Sequence, residues 1–220
     1  MRSLLIITLS LVASTLFGQG VIVFQNAAAN VNAPVTNASN GLVLGPSSYV
    51  ADLFFSTNTQ SSMDELAPLN MPVTFSTNPG YFYGGIRYML PVSTLVQVRV
   101  WDSNYGKTYY EARNDGGEFG YSNSLILTPD VPPGGGTYLV GLEGFQLQRL
   151  PQLTATVTVT NTIVFSWQVE QTAYSVQQNP NLSPSNWTTV PNAPISIGQQ
   201  QQVVLPFPAA GKMFYRLISQ

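Results

Sequence analysis

Apolar residues in this chain recur mainly at every second position, in short runs that Gly, Pro and Asn separate. The clearest run is 94–101, in which Val96, Val98 and Val100 alternate with larger and polar side chains. In a β-strand successive side chains point to opposite faces. We therefore predict a strand over 94–101, with its valine face towards the core.

Similar runs follow along the whole chain, and no stretch of a dozen residues has a helical stripe. Many short strands at regular spacing are typical of β-sandwiches. We predict an all-β fold with two antiparallel β-sandwich domains. The further predicted strands cover residues 49–55, 122–128, 139–147, 154–159, 162–167, 174–178, 203–205 and 214–217.

The domain junction is predicted near Leu150-Pro151, after the last strand of the first domain. The Pro- and Gly-rich cluster 129–136 precedes that strand and reads as a surface loop. This gives an N-terminal sandwich over 21–150 and a small immunoglobulin- or fibronectin-III-like sandwich over 151–220.

Within the second domain, Asn161 is predicted to form a hairpin turn and the glutamine run 199–202 to form a loop. Trp167 and Trp187 are predicted core residues.

The first 20 residues have the pattern of an export signal. Arg2 gives a positive start, an apolar run of ordinary signal length follows, and Gly18 and Gly20 are small residues before Val21. The run is shorter than the roughly 20 apolar residues that a membrane span needs. We predict a signal peptide over 1–20, a secreted or cell-envelope protein and no transmembrane segment after cleavage. Because exported eukaryotic domains of this size usually carry disulfides, the absence of cysteine favours a bacterial source.

The composition limits which catalytic and binding functions the chain can have. The chain has no His and no Cys, 8% charged residues and a net charge of −2. These values exclude His- or Cys-based nucleophilic catalysis and give no basic surface for nucleic acid. No cofactor motif is present, and the ten acids are scattered. We therefore expect no enzymatic activity; a carboxylate-based glycan hydrolase is the less favoured alternative.

Two groups of residues are candidate sites. Tyr81, Tyr83, Tyr105 and Tyr110 lie among Gly and Asn in an aromatic-rich region, and aromatic rings beside amides are typical of carbohydrate-binding faces. The alternative is core or rim packing in a sandwich. The second group, Asp102, Asn104 and Glu111, spaces oxygen ligands as a partial calcium loop would; the alternative is a turn. We predict that no metal is required.

Four segments resemble a C-terminal module of large exported planctomycete and verrucomicrobial proteins, and the resemblance implies an immunoglobulin- or fibronectin-like sandwich. These segments are 165–167, 174–182, 186–190 and 212–217. The first domain is similar in style to exported proteins sorted by a PEP-CTERM signal, through segments 21–26, 33–35, 98–102 and 109–112. The Pro-Glu-Pro motif, apolar span and basic tail of that signal are missing. The resemblance implies a location and a fold but no activity.

Taken together, these features predict a non-enzymatic exported protein of the cell envelope or extracellular space with an adhesive or structural role. The alternative is a carbohydrate-binding protein that uses an aromatic face. The expected partners are a polysaccharide or another surface protein.

Overall fold

The computed structural model describes residues 18–168, 173–182, 186–208 and 211–219. The predicted signal peptide therefore lies outside the described residues, except for its last three. The described chain is mostly β-structure, which confirms the all-β prediction. The strands are β1 Gly20–Gln25, β2 Ala27–Ala28, β3 Val31–Asn32, β4 Val35–Thr36, β5 Tyr49–Ser56, β6 Ala67–Pro68, β7 Val73–Thr74, β8 Tyr83–Met89, β9 Thr94–Asp102, β10 Phe119–Leu127, β11 Thr137–Tyr138, β12 Phe145–Gln146, β13 Thr154–Val157, β14 Thr162–Gln168, β15 Tyr174–Asn179, β16 Thr188–Thr189, β17 Ile195–Ile197, β18 Gln200–Pro206 and β19 Phe214–Ser219.

The chain divides into two compact units. Unit 1 contains residues up to Val100 and Gly120–Leu147, and unit 2 contains Trp101–Phe119 and Gln148–Gln220. The segment Trp101–Phe119 thus groups with the C-terminal part of the chain, whereas the sequence boundary at 150/151 assigned it to the first domain.

Unit 1 contains a three-stranded sheet, in the order β11-β1-β8, and most of a five-stranded sheet, in the order β10-β9-β5-β6 with β7 also paired to β5. Ile22 and Phe24 of β1 are fully buried, and they share a core with Leu53 of β5 and the valines of β9. The predicted valine face of β9 therefore does point into the core.

The opposite face of β9 is buried as well, contrary to what one-sided alternation suggests. Arg99 stacks on Phe54 at 4.2 Å, and its Nε donates to Gln97 Oε1 at 2.9 Å. Its Nη2 donates to the carbonyl of Met63, in the 3₁₀ helix Met63–Glu65. A buried guanidinium is tolerated when acceptors surround it. Polar side chains on this strand therefore pack inside the fold.

Asn26 ties three backbone segments of unit 1 together at the end of β1. Its fully buried amide donates to the carbonyls of Ala33 and Gly80 at 2.7 and 2.9 Å, and its Oδ1 accepts from the N–H of Phe82 at 2.8 Å. Two of the three bonds span more than 50 positions, so this side chain fixes distant loops around the core.

In unit 2, a four-stranded sheet in the order β13-β14-β18-β17 and a three-stranded sheet in the order β16-β15-β19 share one buried cluster. Phe165, Trp167 and Val203 come from the first sheet, and Val176 comes from the second. Asn161 has a positive φ of 56° between β13 and β14, which confirms the predicted turn.

Three predictions about these elements are wrong. Residues 139–147 do not form one strand, because Gly141 takes a positive φ of 91° between the short strands β11 and β12. Most of the glutamine run belongs to β18, where Gln200–Gln202 pair with both neighbouring strands. Trp187 is half-buried outside the core cluster, and the guanidinium of Arg216 lies 4.3 Å above its ring.

The helix α1, Tyr109–Asn114, was not predicted. Its ends carry clear signals: Thr108 and Glu111 form a capping box, and Gly116 takes a positive φ of 84° just after the helix. The N–H of Gly117 donates to the carbonyl of Ala112 at 2.8 Å, as in a Schellman motif. At six residues the helix is too short for periodicity to reveal it.

Candidate functional site

The outer face of the three-stranded sheet in unit 1 exposes a group of aromatic and aliphatic side chains. We call Tyr83, Ile86, Tyr88 and Tyr138 the tyrosine face; their exposed fractions are 51%, 53%, 58% and 40%. Ile86 and Tyr138 lie on either side of Val23 of β1, since both pair with it. Within β1, β8 and β11 no outward-facing side chain is charged.

A β-bulge brings Tyr83 onto this face. Tyr83 pairs with Gln25, and the register of β1 and β8 shifts between Phe24 and Gln25. Gly85 takes a positive φ of 70° at this point. A bulge adds one residue to a strand, so Tyr83 and Ile86 point the same way although three positions separate them.

The core side of β8 is anchored by Arg87, which is buried. Its Nη2 donates to the carbonyl of Met71 at 2.9 Å, and its guanidinium lies 5.2 Å from the ring of Phe24. Nearby, Asp52 accepts backbone N–H bonds from Leu53 and Asn70 at 2.9 and 3.0 Å.

Burial shifts the pKa of both charged groups. Desolvation raises the pKa of Asp52 above its ordinary value, although its backbone hydrogen bonds and the Arg87 charge act in the opposite direction. Desolvation likewise lowers the pKa of Arg87. Asp52 and Arg87 therefore lie beneath the sheet, whereas the exposed Asp130 forms a bridge with Val21 of β1.

Unit 2 contains a polar cleft of about 330 Å³. Tyr105 is 39% exposed there, and the guanidinium of Arg149 lies 6.0 Å from its ring centroid and 3.3 Å from Glu118 Oε1. Five of the other lining residues carry an amide or a hydroxyl, namely Gln152, Thr154, Ser166, Gln168 and Gln200, and Asp115 adds a carboxylate.

The four predicted tyrosines lie in different places. Tyr83 is part of the tyrosine face, whereas Tyr81 is half-buried and its hydroxyl donates to Asn32 Oδ1 at 2.6 Å. In unit 2, Tyr105 lines the cleft, and Tyr110 on α1 is 37% exposed, with an edge-to-face contact to Tyr109. Neither unit brings its two tyrosines together on one strand face.

The predicted calcium residues bond to nearby backbone groups. Asp102 ends β9 and accepts from the N–H of Asn104 at 3.1 Å. Glu111 accepts from the N–H groups of Lys107 and Thr108 at 2.8 and 3.1 Å, in the cap of α1. Among the described residues, no three His, Cys, Asp or Glu side chains converge to hold a metal ion.

Sequence reasoning missed Ile86, Tyr88 and Tyr138 as surface residues. The two glycines before Ile86 interrupt the alternation, so β8 has no period-two signal. Tyr138 follows the Gly-rich loop, in a strand of only two residues. A glycine pair inside an otherwise aromatic run is the signal that indicates a bulge.

Comparison with protein-family models, curated proteins and solved structures finds no match to this chain. In the described residues, no helix has the length and apolar character that a membrane span requires.

Proposed function

We propose that this chain is a non-enzymatic, exported protein of the cell envelope or extracellular space, and that it mediates adhesion by binding a neutral polysaccharide on its tyrosine face. The observation that carries the proposal is an exposed sheet face with three tyrosines, on strands without an outward-facing charge. Aromatic rings stack on the C–H groups of sugars, while phenol hydroxyls reach the sugar hydroxyls.

The spacing of the tyrosines favours a polymer over a single sugar. Tyr83 and Tyr88 are five positions apart on one strand, which corresponds to about 15 Å along β8. One monosaccharide does not reach both rings, but an extended chain does. The lack of cations also favours an uncharged polymer, because an acidic polysaccharide would find no positive charge on these strands and would meet the carboxylate of Asp130 beside β1.

A binding role also agrees with the polar cleft of unit 2. Glycoside hydrolysis generally needs two carboxyl groups on either side of the scissile bond. Asp115 is the one carboxylate in the cleft lining. Tyr105 and the amides around it suit sugar contacts without catalysis.

We further infer that the C-terminal part of the chain is a small immunoglobulin-like sandwich of the planctomycete–verrucomicrobial type. The support is the pair of sheets with one shared buried cluster, together with the resemblance of the segment around Trp167.

The test is retention of the protein on insoluble neutral polysaccharides, such as cellulose and chitin, together with a glycan array with and without calcium. We expect the double variant Tyr83→Ala/Tyr88→Ala to bind roughly tenfold more weakly or worse, because each stacked ring contributes about 1 kcal/mol. Its melting temperature should change little, since both side chains are about half exposed.

Tyr121→Ala is the matched control, because Tyr121 of β10 is 52% exposed and lies outside the tyrosine face. Loss of binding in the control, or full binding by the double variant, would contradict the proposal. If this protein bound proteins from an envelope extract but no polysaccharide, its partner would be a protein.

A further inference from the structure

The four-stranded sheet of unit 2 has an unprotected edge. We propose that β13 docks against β13 of a second copy of this chain in antiparallel register, so that the two sheets become continuous. This self-association is independent of polysaccharide binding, and it would let an adhesive protein bridge two attachment points.

The β13 edge is open to solvent. All four of its residues are exposed, and Val157 exposes 59% of its surface. Val159, just past the strand, is fully exposed. Natural proteins usually block such edges with charges, proline, bulges or very short strands. Residues 152–168 contain neither a charge nor a proline.

Several other sheet edges in the described residues carry such features, although the nine-residue edge strand β10 contains neither a charge nor a proline. On the far side of the four-stranded sheet, β17 has three residues and directly follows Pro194. In the three-stranded sheet of unit 2, β19 carries Arg216. In unit 1, β8 contains the bulge beside Gly85. Within the four-stranded sheet, β13 is therefore the less protected of the two edges.

The hydrogen-bond pattern shows which backbone groups of β13 are available. The N–H of Thr158 donates to the carbonyl of Thr162 at 2.8 Å, and Thr156 pairs with Val164. Because bonded positions alternate along an antiparallel pair, residues 154, 156 and 158 bond to β14. The N–H and C=O groups of Ala155 and Val157 therefore point away from the sheet.

The sequence of this edge is complementary to itself. An antiparallel pair with its two-fold axis at Thr156 sets Ala155 opposite Val157 of the second copy, and Val157 opposite Ala155 of that copy. These residues carry the outward-pointing groups, so each pair exchanges two backbone hydrogen bonds. On the other face, threonine meets threonine, a favourable cross-strand pair.

A second copy fits this edge better than an unrelated charged strand does. The strands β13, β14, β17 and β18 carry no charged side chain, so two such sheets meet without electrostatic repulsion. The register also covers part of the exposed surface of Val157 on both copies at once. An isologous contact of this kind closes on itself as a dimer.

The experiment is sedimentation of the purified protein over a range of concentrations, with Val157→Lys as the variant. Ile197→Lys is the matched control, because Ile197 is 53% exposed on the opposite edge of the same sheet. We expect a monomer–dimer equilibrium whose dissociation constant rises at least about tenfold in Val157→Lys, since the dimer brings two like charges together. The control should dimerise as the unmodified protein does.

Hydrogen exchange on the unmodified protein gives a readout that needs no variant. We expect the amides of Ala155 and Val157 to become protected as concentration rises, while those of Thr154 and Thr156 are protected throughout. Amide exchange at Ala155 and Val157 that is independent of concentration would overturn the proposal. A monomer at every concentration, or equal weakening by both lysine variants, would also overturn it.

Discussion

Charged residues are few in this chain, and five of those in the described residues are buried: Asp52, Arg87, Arg99, Asp102 and Glu118. Backbone groups supply most of the partners. Asp52 accepts peptide N–H groups, and Arg87 donates to peptide carbonyls. A buried ionised group is stable only with such bonds. Several of the scarce charges therefore hold loops in place.

Asp52 gives the fold of unit 1 a pH dependence of defined sign. Burial raises its pKa in the folded state, so the unfolded chain loses this proton first as the pH rises from about 4. The contribution of Asp52 to stability is therefore fully present below the unfolded pKa and falls as the pH rises through the folded pKa. Asp52→Asn removes that titration. We expect the free energy of unfolding of Asp52→Asn to lie below that of the unmodified protein by a larger margin near pH 4 than near pH 7.

Urea unfolding of the two proteins between pH 4 and pH 7 measures this difference. Groups that titrate in both proteins contribute equally to both free energies and cancel in the difference. A stability deficit of Asp52→Asn that grows towards neutral pH would mean that the pKa of Asp52 is lowered. In that case the backbone N–H bonds and Arg87 would outweigh desolvation.

At the level of strands, alternation alone predicted β5, β9 and β14 within about two residues. These strands are long and rich in β-branched or aromatic residues, so local pattern and tertiary packing agree. The turn at Asn161 was predictable for a similar reason, since Asn tolerates the left-handed conformation that the turn needs.

Elements whose secondary structure or burial depends on neighbouring elements were not predictable from the sequence. The glutamines of β18 pair with β14 on one side and β17 on the other, and the ladder bonds hold them in a strand despite their low β-propensity. Both faces of β9 are buried, because the 3₁₀ helix supplies an acceptor for Arg99. No local pattern carries that information.

The two tryptophans of unit 2 test which residues belong to its core. Trp167 lies in β14 and exposes 3% of its surface within the buried cluster. Trp167→Ala should reduce the free energy of unfolding by about 3–5 kcal/mol. Trp187 is half-buried beneath Arg216, so Trp187→Ala should reduce it by only about 1–2 kcal/mol. Chemical unfolding followed by fluorescence measures both, and equal losses would place Trp187 in the core after all.

For the whole molecule, the sequence named candidate tyrosines without giving their positions. Tyr81 and Tyr83 belong to one unit and Tyr105 and Tyr110 to the other. Which tyrosines share a face depends on strand pairing. The pairing of β1 with both β8 and β11 brings Tyr138 close to Ile86, although 52 positions separate them in the sequence.

Under the proposed export, the fold restricts where the predicted signal peptide can end. Ile22 and Phe24 are fully buried, so a cut after Ile22 would remove a core residue. A cut before Val21 is compatible with the fold. The backbone nitrogen of Val21 lies 2.7 Å from the carbonyl oxygen of Asp130 and would keep this hydrogen bond as the new terminal amine. N-terminal sequencing of exported protein should find a first residue between Leu16 and Ile22.

Bulky residues at positions 18 and 20 should block this processing, since signal peptidases need small residues there and accept many types between them. We expect Gly18→Phe/Gly20→Phe to accumulate as the uncut precursor on a denaturing gel, whereas the control Gln19→Phe is cut normally. Denatured samples separate processing from folding, which matters because the backbone at Gly20 is closely surrounded by Pro129 and Pro91. A cytoplasmic protein that retains Met1 would refute export.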